Sequence, residues 1–194
     1  LPQVLQGLSY QVRYQPVLFG GLLQHHGQLG PVEVIGKREW TYRQCLWLGR
    51  QLGIDLQLPA AHPFNPLPLM RLAIATHAEG YPDRSVCDTL FKFVWASGKN
   101  VSDPTHLAEI SALLNPLRSA GAEDVKAQLR IFTDEAIAYG VFGCQRFRLT
   151  PKFSGALIHF LCCDSILKAI AGSRNRLGLK LESFQLALNE SADP

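Results

Sequence analysis

The chain of 194 residues is 47% apolar and 18% charged, enough for one compact domain, or a domain with a sizeable insertion, around a real hydrophobic core. Those proportions exclude a disordered or linker-like chain, and no apolar run approaches the roughly 18–20 residues of a membrane helix. The formal net charge of +3 lies entirely in residues 144–194, where Arg146, Arg148, Lys152, Lys168, Arg174, Arg176 and Lys180 face Asp164, Glu182, Glu190 and Asp193.

Leu8 to Val17 is rich in β-formers, with Tyr10, Val12 and Tyr14 on one face, and predicts a strand ended by Pro16. Gly20-Gly21 and Gly27 to Gly36 predict a long loop. Lys37 to Leu52 mixes Trp40, Leu46, Trp47 and Leu48 with Arg and Gln at helical spacing, and Gly53 supplies a stop. Ile54 to Pro68 reads as extended and rich in proline. Leu69 to Glu79 predicts a helix ending at Gly80. A second helix runs from Asp83, an N-cap residue, to Gly98. Asp103-Pro104 opens a third, reaching Leu114, because proline suits the first helical position. Glu123 to Tyr139 is a fourth, with Val125, Leu129, Phe132 and Ile137 as its apolar stripe. Gly140-Val141-Phe142-Gly143 breaks it, and Ile158 to Ile170 has the composition of an apolar helix. A run of helices between β elements predicts an α/β domain with an all-helical insertion.

The start, Leu1-Pro2-Gln3-Val4, has neither a basic nor an apolar leader segment, so no signal peptide is expected, and without an initiator Met further residues are expected upstream. Five irregularly spaced cysteines argue against a secreted disulfide scaffold and for a reducing cytoplasm. P-loop, GxGxxG, GxSxG and HExxH patterns are all absent. Cys162-Cys163 are adjacent, which suits neither a CxxC redox pair nor convergence on one metal. His25-His26 offer a general base or ligand, but with no third ligand nearby they read as solvated surface. The segment Pro59-Ala60-Ala61-His62-Pro63-Phe64-Asn65-Pro66 is stiff and suits a wall that holds a polar group toward a ligand. Asn65 is the best candidate there, since an amide donates and accepts; it would equally cap the helix that follows. Trp95 reads as a pocket wall or as core.

Leu18-Phe19-Gly20-Gly21 through Gly30-Pro31, the helix Lys37 to Gly53 (KREWTYRQCLWLGRQLG), Leu58-Pro59 to Asn65, Phe93 to Gly98 with Trp95, and Glu135 to Gly143 (EAIAYGVFG) occur in an informative order and spacing. Together they resemble the 2-hydroxychromene-2-carboxylate isomerases and the related kappa-class glutathione transferases, within the DsbA-like thioredoxin superfamily. The resemblance covers roughly residues 1–143. It implies a thioredoxin-like domain interrupted by an inserted all-helical subdomain: residues 1–36 the first thioredoxin-like part, lacking its first strand, 37–118 the insertion, 119–143 the second part, and 144–194 a divergent tail.

The implied activity is a glutathione-dependent isomerisation in aromatic catabolism. Glutathione thiolate adds to the conjugated ring system of a small aromatic substrate; ring opening, bond rotation and thiol elimination follow. Such chemistry needs a lowered thiol pKa and basic or amide groups for the carboxylates. By position, Gln28, Phe142 and Gly143 would meet glutathione, and Lys37, Phe64, Asn65 and Trp95 the substrate. No nucleic-acid or membrane partner is implied, and a homodimer is, because relatives are often dimers. The alternatives are a kappa-type transferase or DsbA-like thiol oxidoreductase, the latter opposed by the lack of CxxC, and a catalytically inactive remnant.

Two departures stand out. Relatives begin with a strand near FDFxSPYxYL whose Ser faces the glutathione sulfur. Here that Ser is absent and Ser9 lies in a different context, which leaves the catalytic residue unknown and the sheet incomplete. Relatives also continue GVFG with VPTF, whereas this chain reads Cys144-Gln145-Arg146-Phe147. In the frame that starts at the third base of the Gly143 codon, allowed triplets spell V-P-T-F across Cys144 to Arg148. The same frame gives V-L-W-G-A-D-S-L-P-M-L-R from Lys152 to Asp164. Residues 144–194 are therefore expected to be read out of frame.

Overall fold

In the computed structural model the described residues are 11–143, 147–149 and 156–159. The chain opens on strand β1 (Gln11–Tyr14) and passes Pro16 into helix α1 (Phe19–His25). A 3-10 turn (Pro31–Glu33) leads to α2 (Lys37–Gln51), followed by α3 (Leu67–Ala75), α4 (Arg84–Trp95), α5 (Pro104–Leu114) and α6 (Glu123–Ala138). Strands β2 (Phe147–Leu149) and β3 (Ala156–His159) close the order. β3 lies at the centre of the sheet, parallel to β1 and antiparallel to β2, with Gln11 opposite Ala156 and Phe147 opposite His159.

Residues beyond Gly143 add two strands to β1. One expectation about the tail is corrected. Ile158 and His159 lie in β3, not at the start of a helix, because their backbone groups are taken by partners on both sides; the rest of the expected helix to Ile170 lies outside the described residues.

Gly20 and Gly21 are helical, not loop. Tertiary packing overrides their weak helix propensity. Leu22 is buried with Ala136 and Val141, and a Cβ on Gly21 would stand 3.1 Å from Thr133 Cγ2, so glycine lets α1 and α6 meet closely. Thr133 donates its hydroxyl to Leu129 O at 2.8 Å and accepts Leu18 N–H at 3.1 Å, fixing the start of α1.

The other helices follow local signals. Asp83 Oδ1 accepts Val86 N–H at 2.8 Å at the start of α4, and Asp103 Oδ1 accepts Thr105 N–H at 2.8 Å at the start of α5, each satisfying an amide that the helix cannot. Asn115, at φ 43°, closes α5. α3 begins at Leu67 and stops at Ala75, earlier than the pattern suggested. The Arg118 guanidinium bonds the carbonyls of Ile74 and His77 at 3.1 and 2.9 Å and Asp124 at 2.7 Å, so the carbonyls at that end are satisfied without another turn.

The core has three parts. Leu69, Leu72, Phe93, Val94, Trp95, Val101 and Ile110 join α3, α4 and α5. Ile74, Ala75, Val125, Leu129 and Phe132 join α3 to α6. Leu22, Ala136 and Val141 join α1 to the end of α6. β1 is tied to this helical layer by polar groups. Gln15, buried, donates to Phe132 O and to the Glu135 carboxylate at 3.2 and 3.1 Å, and the Arg13 guanidinium lies 4.5 Å over the Tyr81 ring.

α2 departs from its expected apolar stripe. Trp40 and Trp47 are 63% and 57% exposed, and the helix rests mainly on the 3-10 turn. Tyr42 and Gly49 sit on the inner side instead. A Cβ at Gly49 would meet Leu56 Cβ at 3.2 Å, so the end of α2 runs close against the extended segment that follows.

Candidate functional site

The seven site residues expected from the sequence fall into two groups. Gln28 is exposed just beyond α1, its N–H bonded to Leu23 O at 2.9 Å. Two residues before it, His26 Nε2 pairs with Val141 O at 3.1 Å, so the end of α1 adjoins the Val141-Phe142-Gly143 segment. Phe142 is largely exposed, and no atom lies within 4 Å of where a Cβ on Gly143 would stand. Gly143 is therefore open backbone, and Gln28 carries an exposed amide near the end of α1. His26 thus has a structural partner that its reading as solvated surface did not foresee.

Of the second group, Phe64 and Trp95 stand against His62, which a cis peptide joins to Pro63. The His62 ring stands 5.7 Å from Phe64, 5.5 Å from Trp95 and 5.7 Å from Tyr42, centre to centre, and is tilted or edge-on to each. Tyr42 Oη is 2.6 Å from His62 Nδ1. Burial, with the positive charge of Arg38 adding to it, holds the His62 pKa below the ordinary imidazole value. The ring is therefore neutral near pH 7. With Tyr42 as the donor to Nδ1, the ring proton lies on Nε2; with Nδ1–H as the donor, Nε2 is an acceptor.

Three of the substrate-facing candidates flank this histidine in different ways. Phe64 is half-buried and packs on the α3–α5 core. Asn65 is exposed, and its Oδ1 accepts Leu67 N–H at 3.1 Å, so its acceptor is already engaged at the start of α3. Trp95 is buried at the end of α4, within the core that also holds Leu69 and Leu72; only its face toward His62 is available to the segment. Lys37 is exposed as the first residue of α2, five positions before Tyr42. Sequence reasoning missed Tyr42. Its partner is 20 residues away, and no local pattern along α2 points to it.

Residues 1–144 match the DSBA-like thioredoxin domain. The chain belongs to that family. A comparison with curated proteins returns no match. The DSBA-like thioredoxin family includes isomerases, oxidoreductases and glutathione transferases, some of which use glutathione. The match ends one residue past Gly143, where the charge balance of the chain also changes.

Among DSBA-like chemistries, those that depend on a protein thiol find little support in the described cysteines. Cys87 is buried, and its pKa is pushed up to about 12 by that burial, with the Asp88 and Asp83 carboxylates adding to it. A thiol so disposed is protonated and inert. Cys45 lies half-buried in α2. No two cysteines in the sequence stand in a CxxC spacing. Among the described residues no three His, Cys, Asp or Glu side chains are grouped to hold a metal, and no helix is long and apolar enough to cross a membrane.

Proposed function

We propose that the chain is a glutathione-dependent isomerase of the 2-hydroxychromene-2-carboxylate type, or a descendant of one whose turnover is impaired. Membership of the DSBA-like thioredoxin family over residues 1–144 carries this reading. Within the family, the order of segments from Leu18 to Gly143 resembles the isomerases. Cys87 is buried and protonated, and no two cysteines stand at CxxC spacing, which favours a reaction whose sulfur comes from a bound tripeptide. Gln28, just beyond α1, and Phe142 and Gly143, just beyond α6, are assigned to the peptide portion of glutathione on an exposed amide and open backbone. Lys37, Phe64, Asn65 and Trp95 are assigned to the aromatic acid. When bound, glutathione supplies the nucleophile that opens the ring; the protein residues bind and orient. The residue that would lower the thiol pKa is unassigned.

Isothermal titration of the full chain with glutathione tests the first half of the proposal, and saturable binding is expected. An absorbance assay with 2-hydroxychromene-2-carboxylate tests the second, and slow or absent turnover is expected. Turnover at the rate of intact isomerases would show that the VPTF segment, replaced here by Cys144-Gln145-Arg146-Phe147, is not needed. Absence of glutathione binding would favour an inactive remnant, and transfer of glutathione to an electrophile without isomerisation would favour a kappa-type transferase.

A further inference from the structure

His62 was expected to form part of a stiff wall, with Asn65 as its polar group. The geometry reverses those two parts. Asn65 spends its acceptor on Leu67 N–H. His62 has its Nδ1 held by Tyr42 at 2.6 Å, while its Nε2 has no partner among the described residues and is not sealed from solvent. In the tautomer in which Tyr42 donates to Nδ1, the neutral imidazole presents Nε2 as a directed N–H donor. Around that donor stand the rings of Tyr42, Phe64 and Trp95, of which Tyr42 and Phe64 are only half-buried. The positive charge of Arg38 acts on the same imidazole, and Lys37 precedes it in the first turn of α2. A donor set in an aromatic cluster, with the Arg38 charge acting on its ring, suits an acid that carries its anionic group on a flat apolar body.

We propose that His62 is a ligand-binding residue, its Nε2–H donating to the carboxylate of a small aromatic acid that lies against Phe64 and Tyr42. Tyr42 is the positioning residue that fixes the ring and its tautomer. This rests on the reading of the protein as acting on an aromatic acid, and assigns a residue to that end of the substrate. Specificity follows: an acid of the same size without an aromatic ring loses the faces, and a neutral aromatic loses the donor's charged partner.

The test uses the full chain with 15N-labelled histidine, titrated with salicylate as the probe acid and 2-hydroxybenzyl alcohol as its neutral counterpart. Salicylate is expected to shift the His62 Nε2 resonance saturably, and the alcohol to leave it in place. His62→Phe, which keeps an aromatic ring in the cluster, is expected to weaken salicylate binding about tenfold or more, the usual consequence of losing one hydrogen bond to a charged group. Its glutathione affinity should be unchanged. Tyr42→Phe should alter the His62 tautomer signal and weaken salicylate less. Salicylate binding that leaves the His62 resonance unmoved, or no saturable binding at all, overturns the proposal, and the wild-type titration decides this even if a variant does not fold. A silent His62 in a chain that binds glutathione defeats this inference alone; a responsive His62 in a chain that ignores glutathione defeats the isomerase reading and leaves the aromatic-acid site standing.

Discussion

Cys87 illustrates how surroundings decide what a side chain can do. By type it is a nucleophile; by position, one turn into α4 and buried beside Asp83 and Asp88, it is a small apolar filler. It is expected to resist iodoacetamide in the native protein at pH 8 and to react on denaturation, as read by mass spectrometry of the modified peptide. Because its folded pKa, about 12, exceeds the value near 8.5 of an unfolded cysteine, its contribution to stability is complete below about pH 8.5 and is lost as pH rises toward the folded value. A Cys87→Ala chain should show a shallower alkaline fall in stability by urea titration. Phe132, 1% exposed and packed on Ile74 and Leu129, was legible as core from its place in the α6 stripe. Phe132→Ala should cost about 3–5 kcal/mol by the same measurement. The His62 pair was not legible, since nothing local in the sequence says that Tyr42 faces inward while Trp40 and Trp47 face out.

Helices announced by their own ends were readable, and those made by tertiary contact were not. α4 and α5 carry Asp83 and Asp103 at their caps, and each begins where its carboxylate predicts. The Val86 N–H, foremost, and the Ser85 hydroxyl after it hold Asp83 below the usual carboxylate value, so its contribution is present above about pH 3.9 and is lost as pH falls through its folded pKa. Asp83→Ala should cost about 1 kcal/mol at neutral pH, and the difference from the parent chain should vanish under strongly acidic conditions. Thermal melts at pH 7 and below pH 3 would show this. α1 was invisible because two glycines disguise it; only the close approach to Thr133 explains them. The early end of α3 depends on Arg118, 43 positions beyond Ala75 and invisible to a local window. Gly80, at φ 78°, is a different case: the sequence marked it as a stop, and the packing makes it obligatory. A Cβ there would stand 3.0 Å from Gln128 Cγ and 3.2 Å from Ile74 Cγ2. Gly80→Ala is expected to lose at least about 1–2 kcal/mol from backbone strain alone, measured by urea titration.

At the scale of the molecule, the order of strand, helices and glycine-bounded break could be read, and with it the family; the sheet could not. β3 inserts between β1 and β2 from a stretch whose residues suggested helix, and strand pairing across more than 140 positions leaves no trace in a single sequence. The proposal that residues 144–194 are read out of frame has a direct check: the coding nucleotides after Gly143 should spell V-P-T-F in the shifted frame, and any other reading there retires it. One helix has a consequence for how the protein comes apart. α3 gives Leu69 and Leu72 to one cluster and Ile74 and Ala75 to the next, so neither can melt without stripping a face from the other. Amide protons along Leu72 to Ala75 should therefore exchange only through complete unfolding, at a rate matching the loss of the whole helical layer rather than of any fragment of it.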